Sequence, residues 1–467
     1  MFDKGVMRVK IILSRIVLSI FLLAIAGFFM PMQVVSGTTK QKNISRKRTK
    51  PIRPKKRFSL EEALKHPETV IKLDLSGKNL TALPREVLSF KSLKILVLSN
   101  NKITSLPKEL AGLSKLTEIK YNSNGLKSIP DAIFTLKTLT KLDLSRNKLT
   151  VISPDISKLS NLHFLNLMKN GLSQLPKEFA SLRSLSILYI AYNKFEVFPP
   201  CISKLTQLDK LNLSGNKFKV LPASIGNLSG LRYLNSQNNK IDSISPEIGR
   251  LQKLTDLNLG NNLLKYLPEK LFNIPGIRRL LLFRNRLVYL SPNITKLQNL
   301  RKLDISGNRL AAIRFDFSKM SGLQSLKLGS NPLKSLNYDF SKLVNLRLLN
   351  LTNCGLEKLP ETIYSLSKLR DLDVSKNKIT SLSPKISALL SLSNLKINSN
   401  KLIELPKEII ELKKLRAIYA NFNKLTSLPD LLNTIPNLKL VSLRKNMFSD
   451  EEKQNIKKKY SDLRFIF

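Results

Sequence analysis

The chain has 467 residues, with 79 lysines and arginines against 33 aspartates and glutamates, which gives a formal net charge of +46. A charge of this sign and size favours anionic partners, among them sulfated glycans, acidic proteins and the headgroups of lipopolysaccharide or phospholipid. The two cysteines and two histidines form no cluster with metal-ligand spacing, and they exclude a fold that depends on a network of disulfides.

The first 37 residues have the pattern of a signal peptide. Basic residues precede a fifteen-residue run without charge, Ile16–Met30, and small residues follow near Val35. Fifteen residues in Ile16–Met30 are fewer than the roughly 20 that a membrane-spanning helix needs. We therefore predict export and removal of residues 1–37, with an uncleaved N-terminal anchor as the alternative. No other membrane-spanning segment is predicted.

Residues 38–57 form a linker with ten basic residues and no acidic one. Such a segment stays solvated, and we predict that it is disordered. It is either a tether for anionic lipid or polysaccharide, or a soluble spacer. Residues 58–69 are predicted to be an N-terminal helical cap, because the sequence Ser59-Leu60-Glu61-Glu62 is a capping box.

Residues 70–448 contain seventeen units with a period of 23 residues, the last of them truncated, numbered here from the unit that begins at Val70 to the unit that begins at Leu438. Each unit follows the pattern LxxLxLxxNxLxxLPxxIxxLxx, without insertion or deletion. A strict period of this length predicts a stacked solenoid. The LxLxx stretch alternates and predicts a short parallel strand in each unit, about 4.8 Å from the next. Prolines such as Pro107 favour turns or 3₁₀ segments on the wider, convex side.

Residues 449–467 are predicted to form a C-terminal cap. Ser449 is placed to begin a helix that runs through Lys457, and Leu463–Phe467 would add a last strand. Solenoids need such caps because their terminal units otherwise expose an apolar face.

From unit two onwards an asparagine recurs at the ninth position of the unit, and among these units only unit thirteen replaces it, with Cys354. A buried amide donates and accepts at once, so it can tie neighbouring units together. The predicted ladder consists of Asn101, Asn124, Asn147, Asn170, Asn193, Asn216, Asn239, Asn262, Asn285, Asn308, Asn331, Asn377, Asn400, Asn423 and Asn446.

These residues resemble the bacterial leucine-rich repeat (LRR) proteins of the 23-residue class that carries LPxxI. The opening EALKHPETVIKLDLSGKNLTALP and the tail NMFSDEEKQNIKKKYSDLRFIF are similar to the secreted or surface LRR proteins of pathogenic spirochaetes. The likeness covers about residues 58–467. It implies an α/β-type LRR horseshoe with about seventeen repeats, a parallel concave sheet and capped ends. It also implies a host-binding or adhesin-like role.

Positions 3, 5, 7 and 8 of each unit are predicted to face the concave surface or its rim, and most of them are small or polar. Units five, six, eight and ten are apolar, aromatic or Arg-rich there, as is unit sixteen with Tyr419 and Phe422. Exposed clusters of this kind often mark an interface. The alternative is that the rings stack and only stiffen the sheet. The candidate partner-binding residues are Phe164, Met168, Ile187, Tyr189, Tyr192, Tyr233, Arg279, Leu281, Phe283 and Arg284.

Four other positions carry predictions about packing. Cys201 lies at a variable convex position, which suggests an exposed thiol, and it is too many units from Cys354 to form a disulfide. Ser236 occupies a usually apolar position and is expected to loosen the sheet. Phe317 and Phe340 replace the usual isoleucine in adjacent units and are expected to pack on each other.

The sequence predicts an exported, non-enzymatic LRR protein that binds a protein partner, such as a host or extracellular-matrix protein, through its concave face. One alternative is an envelope protein that adheres by charge to sulfated glycan or another anionic polymer or lipid. The other is an intracellular signalling scaffold. No nucleophile–base pair, metal cluster or cofactor motif appears, and no nucleic-acid-binding motif indicates a specific nucleic-acid partner.

Overall fold

A computed structural model describes residues 60–333, 336 and 338–467. The predicted signal peptide and basic linker, residues 1–37 and 38–57, lie outside the described residues, as does Ser59 of the predicted capping box.

The described chain is a solenoid whose main feature is a parallel sheet of eighteen short strands. Each strand pairs with the strand of the next unit in register, so that Leu142 lies beside Leu165 and Leu165 beside Leu188. The strands of this sheet are β1 (Lys72–Asp74), β2 (Ile95–Val97), β3 (Glu118–Lys120), β4 (Lys141–Asp143), β5 (Phe164–Asn166), β6 (Ile187–Tyr189), β7 (Lys210–Asn212), β9 (Tyr233–Asn235), β11 (Asp256–Asn258), β12 (Arg279–Leu281), β13 (Lys302–Asp304), β14 (Ser325–Lys327), β15 (Leu348–Asn350), β16 (Asp371–Asp373), β17 (Asn394–Lys396), β18 (Ala417–Tyr419), β19 (Leu440–Ser442) and β20 (Arg464–Ile466). This sheet confirms the predicted solenoid class.

Single turns of 3₁₀ helix return the chain on the convex side. Most begin after a proline or at a serine whose hydroxyl accepts the first N–H, as Ser153 does from Asp155. They span Pro67–Thr69, Arg85–Ser89, Lys108–Gly112, Asp131–Thr135, Pro154–Lys158, Lys177–Ser181, Pro200–Lys204, Ala223–Asn227, Pro246–Arg250, Glu269–Asn273, Pro292–Lys296, Phe317–Met320, Glu361–Ser365, Pro384–Ala388, Lys407–Glu411 and Leu432–Thr434. Two short strands, β8 (Val220–Leu221) and β10 (Ser243–Ile244), pair in parallel outside the main sheet.

The repeated leucines form one continuous core, and the asparagine ladder closes it on one side. Asn147 shows the pattern: its Nδ2 donates to the carbonyls of Tyr121 and Leu144, both over 3.0 Å. Its Oδ1 accepts the backbone N–H groups of Asn124 and Leu126, over 2.9 and 3.1 Å. One amide thus satisfies backbone groups of two units that are out of reach of water.

The residue just before each rung has a left-handed backbone. Tyr192, Arg284 and Phe422 have φ values of +55°, +51° and +56° at this position, and the equivalent residues of all the remaining units have the same conformation. Glycine or asparagine adopts it at little cost, whereas other side chains are strained there. The rim of the concave face therefore presents one strained residue in most units.

Two α-helices flank the sheet. Helix α1 spans Leu60–Leu64, and helix α2 spans Asp450–Lys459. The Ser449 hydroxyl accepts the N–H of Glu452, and the Glu452 carboxylate accepts the N–H of Ser449, so the helix predicted to begin at Ser449 starts with a capping box. The helix runs two residues past Lys457, the end expected from sequence. Strand β20 then pairs with β19.

Packing in the core confirms one sequence expectation and corrects two. The rings of Phe317 and Phe340 stack with centroids 5.4 Å apart, and both are buried. Cys201 is buried, so the predicted exposed thiol is wrong: the 3₁₀ turn Pro200–Lys204 directs the side chain towards the core. Ser236 is fully buried without a partner for its hydroxyl, yet its N–H donates to Asn258 O over 2.8 Å, so the sheet is not loosened there.

Candidate functional site

The concave face of the sheet carries two rows of side chains that lie on either side of the buried central leucines. In the first row Phe164 lies beside Ile187, Ile187 beside Lys210, and Lys210 beside Tyr233. In the second row Asn166 lies beside Tyr189, which lies beside Asn212. The strand register thus places the candidate residues of units five, six and eight on one surface.

Phe164, Ile187 and Tyr189 form the centre of this surface. The rings of Phe164 and Tyr189 meet edge to face, with centroids 5.8 Å apart and planes at 84°. All three side chains are half-buried. Burial, followed by the nearby Asp209 carboxylate, raises the pKa of Tyr189 above its ordinary value, so the phenol stays a neutral donor. The arrangement offers a firm apolar patch with one hydroxyl.

Tyr192 and Met168 extend the patch to the rim. Lys169 Nζ lies 5.6 Å from the centroid of the Tyr192 ring, a cation–π distance. The ring lies over Gly215 of the next unit, where a Cβ would stand only 2.6 Å from Tyr192 Cδ1. The glycine therefore leaves the space that the tyrosine ring fills.

Tyr233 connects the aromatic patch to unit ten. Burial, with smaller contributions from Tyr189 and Asp256, raises the pKa of Tyr233, although a hydrogen bond with Asn235 and the Arg279 guanidinium lower it in part. Arg279 Nη1 lies 3.1 Å from Asp256 Oδ1 on the adjacent strand. In the first row Lys210 lies between Ile187 and Tyr233, and Asp256 lies between Tyr233 and Arg279, so one acidic residue separates the two predicted clusters.

Unit ten adds Leu281, Phe283 and Arg284. The Phe283 ring lies over Gly260 of the preceding unit, where a Cβ would be 2.3 Å from Cε1. Leu281 is half-buried beside Asn258, and Arg284 is exposed at the left-handed rim position. As with Tyr192, a glycine in a neighbouring unit makes room for a large side chain.

Tyr419 and Phe422 lie six units from unit ten and do not join this surface. Phe422 is 56% exposed, more than any candidate aromatic in units five to ten. Phe164 and Tyr189 contact each other, while Tyr192 and Phe283 lie over glycines of neighbouring units, which agrees with the stiffening interpretation as well as with a binding surface.

Sequence reasoning missed a second group of exposed apolar side chains, at the thirteenth position of the unit. Their signal is the same 23-residue spacing, applied to the convex return of the chain rather than to the strand. Val197 is 76% and Tyr266 63% exposed, the largest fractions in the group. The group consists of Val151, Val197, Val220, Tyr266 and Tyr289.

The structure shows no arrangement for chemistry in its described part. Within residues 60–333, 336 and 338–467, no three His, Cys, Asp or Glu side chains are grouped to hold a metal ion. Over the same residues no helix has the length and apolar character to cross a membrane. An open depression beside Cys354 is lined by polar residues such as Asn331, Glu357 and Lys378.

Comparisons with known proteins agree with this architecture. A family model described as a leucine-rich repeat region matches residues 145–231, and one described as leucine rich repeat matches residues 69–126, 115–172, 229–287 and 298–356. An LRR protein of Leptospira interrogans has a similar structure, with a TM-score of 0.66 and 30% identity over 88% of this chain and 98% of the other. This chain belongs to the leucine-rich repeat family.

Two further structures are similar over most of the chain. The LRR ectodomain of a receptor kinase of Arabidopsis thaliana, solved with CASPARIAN STRIP INTEGRITY FACTOR 2, has 28% identity and a TM-score of 0.58, covering 84% of this chain and 55% of the other. The functional domain of InlJ of Listeria monocytogenes has 22% identity and a TM-score of 0.58, covering 82% and 74%, and supports the fold alone. Comparison with curated protein sequences gives no match.

LRR proteins are generally scaffolds that bind other proteins and are typically non-catalytic.

Proposed function

We propose that this chain is an exported, non-enzymatic LRR protein that binds a protein partner through the concave face of units five to ten. The observation that carries the proposal is the concentration of Phe164, Ile187, Tyr233 and Arg279 in one strand row, interrupted by Lys210 and Asp256, on a sheet whose other units show mainly polar residues. Aromatic residues and arginine are the usual anchors of protein interfaces.

The shape of this surface also supports binding. The strained backbone at Tyr192 and Arg284 and the open space at Gly215 and Gly260 together hold large side chains on the rim. A partner that meets rigid aromatic side chains loses little conformational entropy in ordering them.

Binding would be tested with Tyr189→Ala combined with Tyr192→Ala in the mature protein, against a panel of extracellular-matrix proteins. The double variant should bind its partner more weakly by at least about 2 kcal/mol, because two anchors are lost. The matched control is Tyr266→Ala combined with Tyr289→Ala, which removes two exposed tyrosines from the convex return and should bind normally. Normal binding by the concave variant would contradict the proposal.

Salt separates this proposal from adhesion by charge alone. Aromatic anchoring persists at high ionic strength, whereas attraction between exposed charges is screened over about 10 Å at 0.1 M salt. If removal of residues 38–57 abolished all binding and the aromatic variant had no effect, the charged linker would be the adhesive element.

Export is supported by the basic and apolar pattern of residues 1–37. Mass spectrometry of the protein released by its cells should find a first residue between Val35 and Thr38. A mature chain that retains Met1 would contradict cleavage and favour the anchor.

A further inference from the structure

A row of arginines follows the edge of the sheet where the strands begin. The second residue of each unit precedes the strand, and in units eight to seventeen it is usually basic and exposed. In units one to seven the same position holds one basic residue, Lys94, and one acidic residue, Asp209. From unit eight onwards the row is Arg232, Thr255, Arg278, Arg301, Gln324, Arg347, Arg370, Ser393, Arg416 and Lys439.

This row has a period of its own, three units long. From Thr255 onwards one neutral polar residue is followed by two basic residues, and this triplet occurs three times in succession. The three basic pairs, called here the arginine ridge, are Arg278 with Arg301, Arg347 with Arg370, and Arg416 with Lys439. With strands about 4.8 Å apart, equivalent pairs lie about 14 Å apart and the ridge is about 34 Å long.

Backbone hydrogen bonds fix the spacing within each pair. The carbonyl of Arg278 accepts the N–H of Arg301 over 2.8 Å, and the carbonyl of Arg347 accepts the N–H of Arg370 over the same distance. The carbonyl of Arg416 accepts the N–H of Lys439 over 3.0 Å. The two basic residues of each pair are therefore joined by a backbone hydrogen bond, which fixes the distance between their main-chain atoms.

No carboxylate neutralises most of the ridge. Within the described residues, no ion pair within 4.0 Å involves Arg278, Arg347, Arg370, Arg416 or Lys439. In each of units eight to seventeen, neither the residue at the ridge position nor any of the three residues before it is Asp or Glu.

The nearest acids on the following strand positions are engaged elsewhere. Asp256 pairs with Arg279, and Asp371 accepts from Asn394 Nδ2 over 2.6 Å. Like charges on adjacent strands destabilise a sheet, so an unneutralised row indicates a site for bound anions.

We propose that the arginine ridge binds a linear sulfated polysaccharide along the solenoid. Arginine matches an oxyanion with two parallel N–H groups, which favours sulfate and carboxylate. A site with a regular period over eight units fits a polymer whose anionic groups also recur, and an irregular acidic peptide does not have that property. Single-stranded nucleic acid fits less well, because its sites combine positive charge with aromatic stacking and no ridge position in units eight to seventeen is aromatic.

The ridge adjoins the row of the proposed protein binding only in unit ten, where Arg278 precedes Arg279, and the variants below change no residue of that row. Loss of one activity would leave the other in place, so the two proposals fail independently. It also differs from the basic linker of residues 38–57, which every variant below retains.

The test uses size-defined heparin oligosaccharides and the mature protein, with affinity measured by titration calorimetry at several salt concentrations. Arg278→Ser, Arg347→Ser and Arg416→Ser together should weaken binding at least tenfold and make it less dependent on salt. The matched control is Arg286→Ser, Arg309→Ser and Lys401→Ser, which removes the same charge from exposed residues beyond the asparagine ladder. Equal weakening by both triple variants would overturn the proposal in favour of general charge attraction.

A charge-conserving variant tests the three-unit period itself. Gln324→Arg combined with Arg347→Gln keeps the net charge but moves one arginine out of its pair. Affinity for oligosaccharides that span the ridge should fall several-fold. Affinity for fragments shorter than the distance of about 14 Å between equivalent pairs should not change. Unchanged affinity for the long oligosaccharides would overturn the proposed spacing. Equal affinity for single-stranded DNA of the same length would overturn the choice of polysaccharide.

Discussion

The backbone N–H of Cys354 donates to Oδ1 of Asn377 over 2.9 Å, although Cys354 has no amide with which to continue the ladder towards unit twelve. Its thiol lies 3.7 Å from the carbonyls of Leu328 and Thr352, where an asparagine would donate. The Leu333 N–H, which an asparagine at 354 would accept, turns instead to the carbonyl of Asn331 over 2.8 Å. The ladder is thus interrupted in one direction only.

This asymmetry predicts different costs for two alanine substitutions. Asn377→Ala should lower the free energy of unfolding by about 1–3 kcal/mol, because it leaves buried backbone groups unpaired. Cys354→Ala should cost less, since the thiol makes only long contacts and its acceptor role has already been replaced. Urea unfolding followed by circular dichroism would measure both. A larger loss for Cys354→Ala would show that thiol packing outweighs the ladder bonds.

The stacked phenylalanines of units eleven and twelve predict that loss of either ring strongly destabilises the fold. Phe340→Ala should lower the free energy of unfolding by about 3–5 kcal/mol, because it removes a fully buried ring and leaves a cavity. Phe422→Ala is the matched control, since that ring is 56% exposed and its loss should change stability little. A similar effect of the two substitutions on the urea midpoint would contradict the packing described for Phe340.

Burial of the two thiols predicts that they react slowly with thiol reagents and that the protein loses stability at alkaline pH. Burial raises the pKa of both Cys201 and Cys354 to about 11. The native protein should therefore react slowly with a disulfide reagent at pH 8, and both thiols should react at once in urea. Rapid reaction of the native protein would indicate that Cys201 is accessible after all.

The same pKa values set the sign of the pH dependence. The unfolded chain loses its thiol protons near pH 8.5 while the folded chain keeps them. This contribution to stability is complete below about pH 8.5 and is lost as the pH rises to the folded values. Replacing both cysteines by serine should reduce the fall in the urea midpoint between pH 8 and pH 11. The tyrosines with raised pKa values, Tyr121 above all, contribute in the same direction and remain in both proteins.

The capping box predicts how the C-terminal end responds to mutation. Ser449→Ala removes the hydroxyl that accepts from Glu452 and should cost about 1 kcal/mol. Hydrogen exchange should quicken in helix α2, while the leucine core of the middle units should be unaffected. Ser461→Ala, an exposed serine beyond the helix, is the control. Unchanged exchange in α2 would mean that packing of Tyr460 alone holds the helix.

Sequence alone gave the solenoid and its register because one spacing governs both. A leucine that recurs every 23 residues without an insertion can lie only beside its counterpart in the next unit, as Leu142 lies beside Leu165. The ladder bonding followed from the chemistry of a buried amide. These features depend on residues that repeat, so each unit supports the assignment of the others.

The candidate surface was harder to predict because it depends on contacts between units. The pattern could place Tyr192 on the rim but could not show that Gly215 gives its ring space. Cys201 was assigned the wrong environment because equivalent 3₁₀ turns bury different side chains: Pro200–Lys204 buries Cys201, whereas Pro154–Lys158 buries only Ile156. A residue that appears once per period on the convex side carries too little pattern for that choice.

The left-handed backbone before each ladder asparagine also lowers the stability of the fold wherever the residue is neither glycine nor asparagine. Arg146, Lys169, Lys376 and Lys445 hold φ values between +55° and +58° there, a conformation that asparagine or glycine adopts more readily. Changing any of them to glycine would relieve strain without touching the leucine core. A substitution at this rim position therefore changes the stability of one unit and the side chain that the unit presents to a partner, independently of the other units.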